Sequence, residues 1–160
     1  MIRAKKTWLI PVLGLLTIHS CATHRRTSIQ KTEKKIAAKR DAARLNGRGQ
    51  VTSVSLTDFY ALQQSGKVLL YDARPRFFYH LGHLPAAIHL PKSDCDEQIA
   101  KNDADIKAAV AAKKTIVVYC TNRLCPDART VAIHLADFGY SAAVLEGGWE
   151  TWKESGLPTE

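Results

Sequence analysis

Beyond residue 50 the chain alternates short apolar runs with amphipathic stretches. Thr115 to Tyr119 is the clearest run, apolar and rich in β-branched residues with no polar alternation, as a strand buried on both faces requires. Val68 to Tyr71, Ala87 to Leu90 and Ala142 to Leu145 repeat the theme, the second closed by Pro91. Helical patterns separate them. Ser55 with Asp58 three residues on is a weak capping box, and it opens a short helix through Phe59, Leu62 and Gln63 that Gly66 stops. Pro75 to His80 reads as a helix-like turn, and Glu97 to Ala112 has helical composition with Ile99, Ile106 and Val110 inward. Val131, Leu135 and Phe138 share one helical face ended by Gly139, and Gly147-Gly148 turns into a last short helix bearing Trp149 and Trp152. Strands alternating with helices predict an α/β domain on a parallel sheet covered on both faces. Sheets of that kind bind ligands outside the carboxyl ends of their strands.

The first fifty residues follow different patterns. Arg3, Lys5 and Lys6 precede an apolar stretch of 12 residues, Thr7 to Ile18. That is shorter than the roughly 20 residues a spanning helix needs, and it suits the core of an export signal. Ile18-His19-Ser20-Cys21 resembles the lipobox of bacterial lipoproteins, with His19 departing from the usual small or aliphatic residue. The expectation is a signal peptide over 1–20 and a lipid-bearing N-terminus at Cys21, anchoring an exported protein on the periplasmic side of a bacterial membrane. Ala22, rather than aspartate, after that cysteine resembles the sorting signal for the outer membrane. Residues 21–50 are dense in Lys, Arg, Ala and Gln without a wide apolar stripe, a basic, partly helical tether ended by Gly47 and Gly49. Its charge suits anionic headgroups at about 1 kcal/mol per basic residue near the surface, although a solvated spacer accounts for it equally well. The folded domain then occupies 51–160.

The formal charge of +8 suggests nucleic acid until it is divided. Residues 1–50 hold 12 Lys and Arg against 2 Asp and Glu, whereas residues 51–160 hold 11 against 13. The domain itself is near neutral, so no nucleic-acid partner is expected.

Candidate chemistry centres on Cys120-Thr121-Asn122-Arg123-Leu124-Cys125-Pro126-Asp127. The strand ends at Tyr119, and Pro126-Asp127 opens the following helix, since proline suits the first helical position and an acid suits the positive end of the dipole. A thiol between strand end and helix start meets unpaired N–H groups that favour the thiolate, which is the nucleophile. A buried core cysteine is the competing reading of Cys120 on this geometry alone. Cys95, in an Asp-rich segment, reads as a solvent-side loop thiol. His89 and His134 read as ordinary strand and helix residues. Cys120 and Cys125 have no His or Cys pair close in sequence to complete a zinc site, so no metal is expected.

Asp72-Ala-Arg74, Gly82-His-Leu-Pro-Ala-Ala87, the strand ending in Tyr119-Cys120, and Gly147-Gly-Trp149 with Trp152 and Gly156-Leu-Pro158 together resemble a single rhodanese-like domain over about Val51 to Pro158. The resemblance implies a five-stranded parallel sheet flanked by helices. It also implies a catalytic Cys120 that takes sulfur from a small donor such as thiosulfate as a persulfide and passes it to a thiol or other thiophilic acceptor. The loop Thr121, Asn122, Arg123, Leu124 and Cys125 would cradle the persulfide through backbone N–H groups, with neither metal nor organic cofactor. Asp72 and Arg74 match the family's strand-end pair and are read as orienting the loop, and His83 as supporting a turn. Trp149 and Trp152 are read as covering the sheet edge. A monomer is expected.

Two departures bear on activity. Many active members of that family carry arginine five positions after the catalytic cysteine, where this chain has Cys125. Arg123 or Arg129 is then left to hold an anionic donor. The loop also lacks a central glycine, and Asn122 is expected to supply the left-handed conformation instead. Three functions follow: a sulfurtransferase, a Cys120/Cys125 thiol–disulfide switch in an oxidising compartment, or a non-catalytic binding module, against which the retained Cys120 argues.

Overall fold

Both faces of the sheet are covered, which is why its central strands carry apolar runs instead of alternation. The computed structural model describes residues 30–31, 33–38, 41–42 and 47–160. The signal segment, the lipobox and Cys21 lie outside these residues. Packing divides the chain into two units, Met1–Lys34 and Lys35–Glu160, and the domain belongs to the second.

The strands are β1 (Val51–Val54), β2 (Val68–Asp72), β3 (Ile88–His89), β4 (Thr115–Tyr119) and β5 (Ala142–Leu145). They form one parallel sheet in the order β1-β5-β4-β2-β3. Around it lie α1 (Leu56–Gln64), α2 (Arg76–His80), α3 (Cys95–Lys101), α4 (Asp103–Ala111), α5 (Asp127–Asp137) and α6 (Gly148–Glu154). This is the expected five-stranded α/β architecture.

Successive residues of β4 feed opposite cores. Ile116 and Val118 pack with Ile99, Ile106, Val131 and Leu135 from α3, α4 and α5. Val117 and Tyr119 pack with Phe59, Leu145 and Trp152 on the other face, where the Phe59 and Trp152 rings meet edge to face at 5.7 Å. Cys120 continues the alternation and falls on the α5 face. The Ser55 hydroxyl caps α1 by accepting the Asp58 N–H at 3.1 Å.

Several expectations need correction. The stretch 97–112 is two helices, because Asn102, at φ −96° and ψ 16°, ends α3 and begins α4. Ile99 and Ile106 are buried as expected, but Val110 near the end of α4 is 46% exposed. The strand expected over 87–90 pairs only at Ile88–His89, since Ala87 is tied into a turn by its N–H to the Leu84 carbonyl. Cys95 is buried, because helical periodicity sets it one turn before Ile99 on the inward face while its acidic neighbours face outward. In the tether, residues 35–38 and 41–42 are helical, and Ile36 packs half-buried against the core.

Candidate active site

Register places the site. Asp72 at the end of β2 lies opposite Tyr119 at the end of β4, and the Ala73 N–H donates to the Tyr119 carbonyl at 2.9 Å. Cys120 is the next residue, at the carboxyl edge of the sheet. Its sulfur is bonded to that of Cys125, with the Cα atoms 6.1 Å apart, inside the range a disulfide spans.

Asn122 organises the loop that the disulfide closes. Its Oδ1 accepts the N–H groups of Leu124 at 3.1 Å and Cys125 at 3.2 Å, and its carbonyl also accepts the Cys125 N–H at 3.2 Å. The residues with positive φ other than glycine are Ala86 and Lys113 among the described residues, so Asn122 is not left-handed. It replaces the glycine by an Asx turn, in which the side chain does what backbone freedom would have done. Two amides that the resemblance assigns to a persulfide cradle thereby face Asn122 in the disulfide form. Leu124 at the loop tip is 90% exposed.

A cleft of about 460 Å³ opens beside the disulfide, lined by Cys120, Cys125, Asn122, Arg123, Arg129 and Glu146 among others. Thr121 points elsewhere, into a second cleft with Arg74, Phe78, Trp149 and Lys153. Arg123 sits 3.7 Å from the Glu146 carboxylate, and both side chains are well exposed, so the pair contributes little. Arg129 is exposed and has no ion pair among the described residues. Asp127 brings a carboxylate within 4.8 Å of both sulfurs. Lys92 pairs with that carboxylate, its Nζ 2.7 Å from Asp127 Oδ1.

Behind the loop the strand ends are locked by a buried charge pair. Arg74 Nε donates to Asp72 Oδ1 at 3.0 Å and its Nη2 to Asp72 Oδ2 at 2.6 Å, with the Gly82 carbonyl as a further acceptor at 2.7 Å. The Tyr119 hydroxyl donates to Asp72 Oδ2 at 2.6 Å and accepts the Leu84 N–H at 3.1 Å. Burial first, then the Asp72 charge, holds the Tyr119 hydroxyl far above its ordinary pKa, so it stays a donor. Asp72 and Arg74 are buried and do not line the disulfide cleft.

The start of α6 closes the site from behind. The Trp149 N–H donates to the Cys120 carbonyl and the Glu150 N–H to the Thr121 carbonyl, both at 2.9 Å. The Trp149 ring lies over the Arg74 guanidinium at 4.4 Å, a cation–π contact. Trp149 and Trp152 therefore do different things, since Trp152 is core while Trp149 links the charge pair to the Cys120 loop. The Gly147-Gly148 signal was readable in sequence as a turn. Glu146 carried no local signal, because only the β5–β4 pairing brings it to the cleft.

The histidines among the described residues lie apart from the cleft. His83 stacks on Tyr79 at 4.0 Å and exchanges backbone hydrogen bonds with Glu160. His89 Nε2 lies 3.0 Å from the Arg74 carbonyl, and His134 pairs with Asp96 at 2.6 Å. Two trios among the described residues have ligand atoms close enough to share a metal: Cys95 with Asp96 and His134, and Cys120 with Cys125 and Asp127. Burial and the Asp96 charge push the Cys95 thiol up to about 11, against the thiolate a metal requires. In the second trio the sulfurs are committed to each other.

The family model described as Rhodanese-like domain matches residues 55–155. Among curated proteins, an HTH-type transcriptional regulator of Mycobacterium tuberculosis is 29% identical over 111 residues, covering 68% of this chain and 44% of the relative. The chain thus spans less than half the length of that relative. Among solved structures, a protein from Bacillus halodurans superposes with a TM-score of 0.59 at 24% identity, covering 68% of this chain and 76% of the other. The human single domain sulfurtransferase superposes with a TM-score of 0.51 at 23% identity, covering 64% and 95%. Both structural likenesses concern the fold.

Proposed function

Because this chain belongs to the rhodanese-like family, we propose that it is a sulfurtransferase in which Cys120 carries sulfane sulfur as a persulfide. The observation that carries the reading is the placement of Cys120 at the carboxyl end of β4, lining an open cleft that holds Arg129. The donor is a small anion of the thiosulfate type. Reduced Cys120 attacks its outer sulfur, forming the persulfide and releasing sulfite, and a thiol or other thiophilic acceptor then takes the sulfur. Arg129 and Arg123 supply positive charge at the mouth of the cleft in place of the arginine that Cys125 displaces.

The test is intact mass of reduced protein after thiosulfate. Release of sulfite, with a gain of one sulfur atom on the Cys120 peptide of the Cys125→Ser variant, supports the reading, and absence of both refutes it. A second reading, a thiol–disulfide switch, rests on the Cys120–Cys125 bond itself. Under it, thiosulfate leaves the reduced protein unchanged while oxidants and reductants interconvert two masses.

The location belongs to the same proposal and rests on the sequence of residues 1–22. The mature protein begins at a lipidated Cys21 and is held as a monomer on the periplasmic side of the outer membrane. Among the described residues no helix is long and apolar enough to cross a membrane. Cys21→Ala should release the domain from the membrane fraction or leave the precursor unprocessed. A soluble mature form with another N-terminus overturns this part.

A further inference from the structure

Resting on the sulfurtransferase reading, we propose that Cys125 is a resolving thiol, which turns the site into one that releases hydrosulfide from sulfane donors and consumes external thiols. The bond in the structure joins the two Sγ atoms. Cys125 therefore reaches the inner sulfur of a Cys120 persulfide, the atom to which it is bonded here, and not the terminal sulfur. Attack on the inner sulfur gives a disulfide and expels the terminal sulfur. Attack on the terminal sulfur would merely move the persulfide to Cys125.

The Cys120 thiolate attacks the outer sulfur of thiosulfate, forms the Cys120–sulfur bond and expels sulfite. The Cys125 sulfur then attacks Cys120 Sγ, the sulfur–sulfur bond of the persulfide breaks, and the terminal sulfur leaves as hydrosulfide with the proton Cys125 gives up. The two cysteines are oxidised to the disulfide, and the sulfane sulfur is reduced to sulfide. Two molecules of a low-molecular-weight thiol, or one dithiol, reopen the bond and leave as a disulfide.

Burial sets the order of that last step. Cys120 is 2% exposed, whereas Cys125 is half-buried at the cleft. An incoming thiol meets the Cys125 sulfur first and expels Cys120 as the thiolate, so the attacking group is regenerated for the next donor. The Asx turn serves the closed form. With the amides of Leu124 and Cys125 bound to Asn122, the loop stabilises the Cys120–Cys125 product over a bound persulfide, which would need those donors.

The experiment uses the 160-residue chain with Cys21→Ala, which leaves Cys95 as the thiol outside the loop among the four cysteines of the sequence. The protein is reduced, desalted without oxygen, and given thiosulfate with no thiol present. Sulfite, sulfide and protein mass are then followed. The expected result is a single turnover in which sulfite and sulfide appear in equal amounts and the protein ends as the disulfide. Added thiol should restart it. Cys125→Ser and Cys125→Ala should release sulfite, keep the persulfide mass and lose sulfide release. Sulfite without sulfide from the Cys125-containing protein, with the persulfide persisting, overturns the resolving role and leaves the sulfurtransferase reading standing. Absence of sulfite overturns both. Sulfide release by the Cys125 variants at the rate of the parent also overturns the inference.

Discussion

The backbone N–H of Trp149 donates to the carbonyl oxygen of Cys120 at 2.9 Å, fixing the first turn of α6 against the start of the disulfide loop. The approach is possible because Gly148 has no side chain. Its φ is +56°, and a Cβ there would overlap the Cys120 carbonyl oxygen. Gly148→Ala should therefore displace the loop, lowering sulfur transfer and thermal stability together. Unchanged activity in a thiosulfate:cyanide assay would show that the contact does not position Cys120.

The Asp72–Arg74 pair sits under Trp149 and against Tyr119, the residue before Cys120. Removing one member leaves a buried charge uncompensated, at a cost of about 3–5 kcal/mol. Asp72→Ala should show that loss in urea unfolding, with the Trp149 fluorescence altered because its ring loses a fixed guanidinium beneath it. A loss below about 1 kcal/mol, the scale of exposed pairs, would contradict the burial seen here.

The two loop thiols should separate by function. Cys120→Ser should abolish transfer from thiosulfate to cyanide, because an alcohol forms no persulfide. Cys125→Ser should retain much of it under reducing conditions, since cyanide takes the sulfur directly. An active Cys120 variant alongside a dead Cys125 variant would reverse the assignment.

Arg129, exposed at the cleft and without an ion pair among the described residues, should act on donor capture. Arg129→Ala should raise KM for thiosulfate several-fold with a smaller change in kcat, and the difference should shrink at high salt. An unchanged KM would remove Arg129 from the donor path.

Cys95 gives a pH signature. Its thiol ordinarily titrates near 9.0 and is raised to about 11 in the fold by burial and by Asp96. A raised pKa means that the stabilisation is complete below the unfolded value and is lost as pH climbs through the folded one. Melting temperature should accordingly fall between about pH 9 and 11, and Cys95→Ala should lack part of that fall. Identical alkaline profiles for both proteins would show that Cys95 ionises as freely folded as unfolded.

The sequence by itself determined the alternation of strands and helices from Val68 onward, the parallel character of the sheet and the place of Cys120 at a strand end, but not the edge strand β1, whose Val51-Thr-Ser-Val54 has no continuous apolar run. Each depends on local chemistry: apolar runs at Val68–Tyr71, Thr115–Tyr119 and Ala142–Leu145, and Pro126 opening the helix after the loop. Its errors fell where local pattern is ambiguous. Polar neighbours made Cys95 look solvent-facing, although one turn of helix puts it beside Ile99. The continuous helical composition of 97–112 hid the break at Asn102. The backbone tolerance of Asn122 suggests a left-handed residue, whereas its side chain forms the turn. Only the tertiary structure decided which distant groups meet. Pairing of β2 with β4 sets Asp72 against Tyr119, and pairing of β4 with β5 brings Glu146 and Trp149 to Cys120. It also decided that the two loop sulfurs are bonded and that Arg74 is buried beneath Trp149. Those contacts join residues up to 75 positions apart (Arg74 to Trp149), and periodicity within a few turns of chain holds no record of them.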